Sequence, residues 1–186
     1  MRDIVLGSLG FLLFFLSDFN GVIWKKRWLQ GCFPAGCLLL AAATVDLLIR
    51  QRRPGMGAAG YASLAVSALF LVALVYTLFF AIPFGESYGS QQGGRRVSKN
   101  GLYALCRHPG VLWLSGGYLF LWLAFGGKVL FFAFVVFSLL DIGYVVLQDR
   151  VIFPKMFDDY GEYRMQVPFL LPTLKSIAKC LRTWKG

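Results

Sequence analysis

Long apolar runs separated by short polar stretches dominate the pattern along this chain. A helix needs about 20 apolar residues to span the ~30 Å hydrocarbon core of a bilayer, where its backbone polar groups must be satisfied internally. The uncharged stretch Tyr61–Pro83 has this length, and shorter apolar runs precede and follow it. The pattern predicts about five membrane helices: Ile4–Phe19, Phe33–Ile49, Tyr61–Pro83, Val111–Phe125 and Val129–Leu147. The predicted fold class is therefore an all-α membrane protein.

The last two predicted helices are close enough in sequence to form a tight helical hairpin. The tripeptide Gly126-Gly127-Lys128 divides the apolar run from Val111 to Leu147 into two halves. Asp141 lies within the second half, eight residues and hence ~12 Å of helix before Asp149. An ionisable side chain at such depth usually faces a protein interior, so Asp141 is a candidate pocket residue.

Polarity divides the chain into three parts. Residues 1–83 carry the three N-terminal membrane helices, and residues 84–172 carry a polar loop, the hairpin and a tail helix. Residues 173–186 place apolar and basic side chains on different sides of a helix, which predicts an amphipathic helix on the membrane surface.

The tail helix is predicted from the spacing of its larger side chains. Ile152, Met156, Tyr160 and Tyr163 recur three or four residues apart, as on one face of a helix. One helix from Asp149 to Met165 is expected to end before Val167-Pro168, because a residue before proline is pushed out of the helical region. Taken alone, this segment is typical of a helix docked on the membrane surface.

Composition and charge agree with a membrane protein and indicate its orientation. Apolar residues make up 58% of the 186 positions and charged residues 15%, which excludes disordered and disulfide-rich secreted classes. The formal net charge is +10, and the basic residues lie between the apolar runs. Attraction to anionic lipid head groups therefore explains this charge better than binding to a nucleic acid does. Fourteen of the nineteen Lys and Arg fall on one side if the N-terminus is outside, which predicts a cytoplasmic C-terminus.

The four cysteines and the single histidine predict no metal site. Cys32 and Cys37 have no further Cys pair or His nearby, so we interpret them as packing residues. Cys106 precedes an Arg-His pair, and a neighbouring cation can activate a thiol, which leaves a nucleophile as an alternative to packing.

The histidine belongs to the segment Gly101-Leu102-Tyr103-Ala104-Leu105-Cys106-Arg107-His108-Pro109, at the mouth of a predicted membrane helix. One interpretation is an interfacial turn in which Arg107 reaches lipid phosphate and Pro109 begins the next helix. The other is a polar pocket in which Arg107 binds an anion bidentately and His108 hydrogen-bonds a ligand.

Together, these two segments resemble the integral-membrane methyltransferases related to isoprenylcysteine carboxyl methyltransferase and to phospholipid N-methyltransferases. The first family signature, Gly-x-Tyr-x-x-x-Arg-His-Pro, is matched without a gap by Gly101, Tyr103, Arg107, His108 and Pro109. The second signature is matched in register by Asp149, Ile152, Met156, Tyr160, Tyr163, Val167 and Pro168. The resemblance covers roughly residues 83–172, about half of the chain.

The resemblance implies S-adenosylmethionine as the cofactor and methyl transfer to a small lipophilic or lipid acceptor at the cytoplasmic membrane face. The acceptor group would be a carboxylate, thiol or amine. The implied catalytic residues are Arg107, His108 and Asp149. The implied cofactor-binding residues are Tyr103, Arg107, His108, Pro109, Asp149, Tyr160 and Tyr163. Val111, Trp113 and Asp141 are the expected substrate-pocket residues.

Four positions differ from the family pattern. Asp149 replaces the usual Glu, Val111 replaces a Tyr, and bulky Trp113 and Phe157 replace Gly. The changes concentrate around the acceptor, so the sequence leaves its identity open, as it does the oligomeric state. Two other classes remain: an NADPH-dependent membrane reductase of the sterol or steroid type, and a non-catalytic relative that binds a lipid or partner. The reductases typically carry an Asn-Tyr pair where Gly110-Val111 stands here.

Overall fold

The structure is a computed structural model that describes residues 1–51, 55–81 and 96–184, and these residues form helices and no strand. Three parts of the prediction lie outside the described residues: the end of the third helix at Pro83, the loop up to residue 95, and the end of the last helix at Gly186. The α-helices of the described part are α1 (Arg2–Phe19), α2 (Cys32–Arg50), α3 (Ala58–Phe79), α4 (Leu102–Leu105), α5 (Pro109–Phe125), α6 (Lys128–Leu147), α7 (Phe153–Met156), α8 (Tyr160–Gln166) and α9 (Leu174–Thr183).

Four helical segments are long and apolar enough to cross a membrane. They are Arg2–Trp24, Arg27–Arg50, Ala58–Phe79 and Lys128–Met156. Helix α5 is apolar but shorter, with 17 residues that cover roughly 26 Å, slightly less than the hydrocarbon core. The prediction of an all-helical fold is therefore confirmed for the described residues, and four of the five predicted membrane helices are long and apolar enough to span a bilayer.

The membrane helices pack side by side in the order α2, α1, α6, α5, α3. Glycines allow the close approach of α1 and α2, since a Cβ added at Gly36 would lie 2.8 Å from the carbonyl oxygen of Gly10. Tyr118 on α5 and Phe137 on α6 meet at 5.1 Å between ring centres in the buried core. On the outside, large apolar side chains such as Leu38 and Leu69 are 72% and 69% exposed, as expected of a surface in contact with lipid.

The predicted hairpin is confirmed. Helices α5 and α6 pack on each other and are joined by Gly126 and Gly127, whose φ angles of +67° and +84° favour glycine. The Gly127 turn lies against the side chain of Gln51, which follows α2. The opposite end of the bundle carries His108, Asp149 and the tail, so the two motifs share one end. Which membrane face this end meets stays a prediction.

The prediction of a single tail helix from Asp149 to Met165 is wrong. Helix α6 continues through a π-helical turn, Gln148–Ile152, into the four-residue helix α7, and the chain then becomes extended at Phe157 before α8 begins. Pro154 accounts for the π-helical turn before it, because it has no N–H to donate to that turn, whereas the break itself falls at the extended backbone of Phe157. The predicted stop is confirmed by the extended backbone of Val167 before Pro168.

Helix α9 begins where the amphipathic pattern predicts. Thr173 and Ser176 form a reciprocal capping box at its start. Ser176 and Cys180 are buried on the side that packs on α4, whereas Leu174 and Leu181 are 87% and 71% exposed. Placing this exposed apolar face in a membrane surface gives it an apolar environment.

Candidate functional site

Direct hydrogen bonds join the two motifs at one end of the bundle. The backbone N–H of Arg107 donates to the carbonyl oxygen of Pro168 at 2.9 Å. The hydroxyl of Tyr163 donates to the carbonyl oxygen of Tyr103 at 2.8 Å. Each bond connects one motif to the other, so the segments that the resemblance pairs in sequence are also paired in space.

The carboxylate of Asp149 is the centre of this region. It lies on the π-helical turn, is 3% exposed, and accepts a hydrogen bond of 2.6 Å at Oδ1 from the hydroxyl of Tyr160. Nη1 of Arg107 lies 3.0 Å from the same oxygen, and Nε of Arg164 lies 3.5 Å from Oδ2. Three of these side chains were predicted as site residues, and the structure brings them together.

His108 is buried against the same carboxylate. Its Nε2 lies 3.5 Å from Oδ1 of Asp149, and its ring stacks on Phe153 with ring centres 5.7 Å apart and meets the edge of Phe169 at 5.2 Å. Burial lowers the pKa of His108 to about 4 and outweighs the opposing effect of Asp149. The imidazole is therefore neutral at pH 7, with Nε2 unpartnered among the described residues.

Arg107 has unused hydrogen-bonding capacity despite its burial. Its side chain is 9% exposed, and within the described chain neither Nε nor Nη1 has an aligned hydrogen-bond acceptor. The guanidinium carbon lies 5.3 Å from the centre of the Phe169 ring, a cation–π contact that holds the group in place. A buried charged donor without an acceptor is costly, so this group favours an anionic ligand.

The tyrosines of the motifs hold the site together through their hydroxyl groups. Tyr103 donates to the carbonyl oxygen of Thr77 on α3 at 3.2 Å, and burial raises its pKa to about 12. Burial also raises the pKa of Tyr160 and Tyr163, so all three remain protonated donors at neutral pH. Pro109 is fully buried as the first residue of α5. Of these residues, Tyr160 is the one whose hydroxyl contacts Asp149.

The three expected substrate-pocket residues do not contact the Asp149 cluster through polar groups. Val111 is 4% exposed in the core, and the indole N–H of Trp113 donates to Oγ1 of Thr77 at 3.0 Å. Asp141 is buried on α6, and no hydrogen bond or ion pair joins it to the motif residues in the described part of the chain. Trp113 thus ties α5 to α3, beside the tie made by Tyr103.

Three contributors were missed by the sequence analysis: Phe153, Phe169 and Arg164. Phe153 follows Asp149 by four residues, which places it on the same helix face, and Arg164 follows Tyr160 at the same spacing. The spacing signal existed for both, whereas the contact of Phe169 depends on how the chain turns after Pro168.

The Cys106 alternative is not favoured by the geometry. The thiol is completely buried, and burial raises its pKa to about 11, which keeps it protonated and unreactive. Across residues 1–51, 55–81 and 96–184 there is no group of three His, Cys, Asp or Glu placed to hold a metal ion.

Comparisons with protein-family models, with curated proteins and with solved structures gave no match to this chain. What its site does is therefore inferred from the residues and their geometry.

Proposed function

We propose that this chain is an S-adenosylmethionine-dependent membrane methyltransferase of the kind its two motifs resemble, acting on a lipophilic or lipid acceptor. The observation that supports this most is the set of unpartnered donors, Arg107 Nε and Nη1 and His108 Nε2, around the buried carboxylate of Asp149. They lie where the two motifs meet.

The donors and acceptors of the cluster fit the chemistry of the cofactor. S-adenosylmethionine carries a carboxylate, an ammonium, a ribose diol and an adenine. Arg107 suits the carboxylate, because a guanidinium binds one bidentately. Asp149 suits the ammonium or the ribose hydroxyls, and its Oδ2 is the freer oxygen, since Oδ1 already accepts from Tyr160. Phe153 and Phe169 offer apolar ring surfaces next to these groups.

When bound, the cofactor would supply a methyl group carried on a sulfonium. The methyl group would pass to the acceptor by in-line displacement, with the thioether as the leaving group. Such a reaction depends mainly on alignment and on exclusion of water. The residues of the cluster contribute both: Asp149 and His108 are 3% and 6% exposed, and the Phe153 and Phe169 rings hold the imidazole between them.

His108 is the candidate proton acceptor. Its imidazole is neutral at pH 7, so one ring nitrogen carries no hydrogen and can take a proton from a thiol or an amine acceptor. The lowered pKa makes His108 a weak base. A methyl acceptor that is already ionised, such as a carboxylate, has no proton for His108 to remove. This reasoning favours a carboxylate acceptor without excluding the other two.

The place of the cluster suits a lipophilic acceptor. The site lies at one end of a bundle of apolar helices, where an acceptor with an apolar tail can approach from the bilayer. The distribution of Lys and Arg supports the proposal that this is the cytoplasmic end, with the N-terminus outside.

Calorimetric titration of the protein in neutral detergent tests the proposal. We expect saturable binding of S-adenosylmethionine and S-adenosylhomocysteine and no binding of NADPH. Binding of NADPH alone would identify a reductase instead. If the folded protein binds none of the three, the methyltransferase proposal is wrong and a non-catalytic role is favoured.

A further inference from the structure

A cavity of about 400 Å³ lies between the tail and helix α9, outside the Asp149 cluster. Its walls include Arg107, Arg164, Lys175 and Lys179, together with the backbone segment around Pro168. His108, Asp149, Tyr160 and Tyr163 do not line it, and the residues that the two places share are Arg107, Arg164 and Phe169. The volume lies within the usual range for small-molecule sites.

The cavity is strongly cationic. Among the described residues, four basic side chains and no acidic side chain line it. Asp149 is the nearest carboxylate to Arg107 and Arg164, whereas Lys175 and Lys179 pair with no carboxylate in the described part of the chain. These two lysines are four residues apart on α9 and therefore share a helix face. One carboxylate leaves most of this positive charge uncompensated.

Two further features of the cavity favour an anion. Arg107 is the most deeply buried of the four cations, and its Nε and Nη1 are the unpartnered donors described above. Thr173 and Ser176, at the N-terminal end of the ten-residue helix α9, also line the cavity. The positive end of the helix dipole adds to the attraction.

The position of α9 indicates where the anion comes from. Its exposed apolar side chains, Leu174, Ile177 and Leu181, point away from the protein and fit the acyl region of a membrane surface. A helix in that position places its lysines at the level of the lipid phosphates. The anion that this geometry meets is thus part of a membrane lipid.

We propose that the cavity bounded by Arg107, Arg164, Lys175 and Lys179 binds the phosphate of an anionic membrane lipid. The lipid fixes α9 and the tail at the bilayer surface. The proposal does not depend on methyl transfer, because Lys175 and Lys179 lie outside both motifs.

Titration with a short-chain phosphatidylglycerol, in neutral detergent micelles, tests this site. The decisive comparison is Lys179→Gln against Arg182→Gln, since both remove one charge from α9 but Arg182 does not line the cavity. Either variant loses one charge's share of the general attraction to an anionic surface, and this loss is expected to weaken binding about fivefold. Loss of a direct charged hydrogen bond weakens it a further tenfold or so, which we expect for Lys179→Gln. Lys179→Arg, which keeps the charge, is expected to retain binding.

Two other probes identify the source of the phosphate. Phosphatidylcholine of the same chain length measures partition into the micelle, and glycerol 3-phosphate supplies the phosphate without a lipid. We expect both to bind much more weakly than phosphatidylglycerol. The proposal is overturned if either binds equally well, if phosphatidylglycerol does not saturate, or if the Lys179→Gln and Arg182→Gln losses are equal while gel filtration shows folded protein. Lys175→Gln provides a second test of the same face.

Discussion

Replacing Asp149 with Asn removes the one carboxylate that, among the described residues, pairs with the buried guanidinium of Arg107. The two side chains are 4% and 9% exposed, and Nη1 lies 3.0 Å from Oδ1. The amide keeps the size of the side chain and its capacity to accept from Tyr160, so the change is mainly one of charge. What it leaves behind is a largely buried cation without its counter-ion.

The expected loss of unfolding free energy is about 3 kcal/mol. Removing one partner of a buried ion pair usually costs about 3–5 kcal/mol, because the other charge stays buried. The lower value applies here, since the contact is not an aligned hydrogen bond and Arg107 keeps its place over Phe169. For a chain of this length, about 3 kcal/mol corresponds to a Tm lower by roughly 6–12 °C.

A double-mutant cycle in detergent measures this energy. Denaturant unfolding is followed for wild type, Asp149→Asn, Arg107→Met and the double variant, with Glu162→Gln as the control. Glu162 is a surface carboxylate that pairs with Lys99, and its loss is expected to be too small to measure. We expect the double variant to recover about 2 kcal/mol of the summed single losses. Additive losses, or an Asp149→Asn variant as stable as wild type, would refute the account of the cluster.

Three further predictions concern stability. Burial lowers the pKa of His108 to about 4, whereas an unfolded histidine titrates near 6.5, so the unfolded state binds more protons between these values. The contribution of His108 to the free energy of unfolding is therefore complete above pH 6.5 and falls as the pH drops towards 4. The expected loss at pH 4.5 is about 2–3 kcal/mol. Denaturant unfolding of wild type and His108→Gln at pH 7.5 and 4.5 should show that the variant lacks this loss. Gly127→Ala should lower the free energy of unfolding by about 1–2 kcal/mol, because the φ angle of Gly127 is +84°. The control Gly161→Ala, on helix α8 with open space around it, should stabilise the protein slightly. A Gly127→Ala variant as stable as wild type would contradict the hairpin geometry. Tyr163→Phe should cost about 1–2 kcal/mol, because the buried carbonyl of Tyr103 loses its donor. An unchanged denaturation midpoint would show that this bond does not join the motifs.

The membrane helices and the hairpin were predictable, because their signals are local. A run of apolar residues of bilayer length and a Gly-Gly step each determine an element without knowledge of the rest of the fold. The bounds were less predictable: the first helix extends to Trp24 through a π-helical turn, and α3 begins three residues before Tyr61. Most of the added residues are small or apolar, and hydropathy alone does not determine at which of them a helix begins or ends.

The motif residues of the site could be predicted from the sequence, but the way they pack against the rest of the chain could not. The motif spacing grouped Arg107, His108 and Tyr160 with Asp149, and the structure places these three side chains against the Asp149 carboxylate. The periodicity of the tail predicted one helix, because a spacing of three or four residues does not detect the break at Phe157 that separates α7 from α8. The ring of Phe169 reaches Arg107 through a tertiary turn, which no periodic pattern encodes.

The central claim is that the two motifs form one cofactor site, and the most direct test is the affinity of S-adenosylhomocysteine for Arg107→Lys and its matched control, Arg182→Lys. Both variants keep the charge, but the first loses the guanidinium fork inside the site. We expect the dissociation constant to rise at least tenfold for Arg107→Lys and to stay unchanged for Arg182→Lys. Equal affinity for the two folded variants would contradict the claim that Arg107 binds the cofactor.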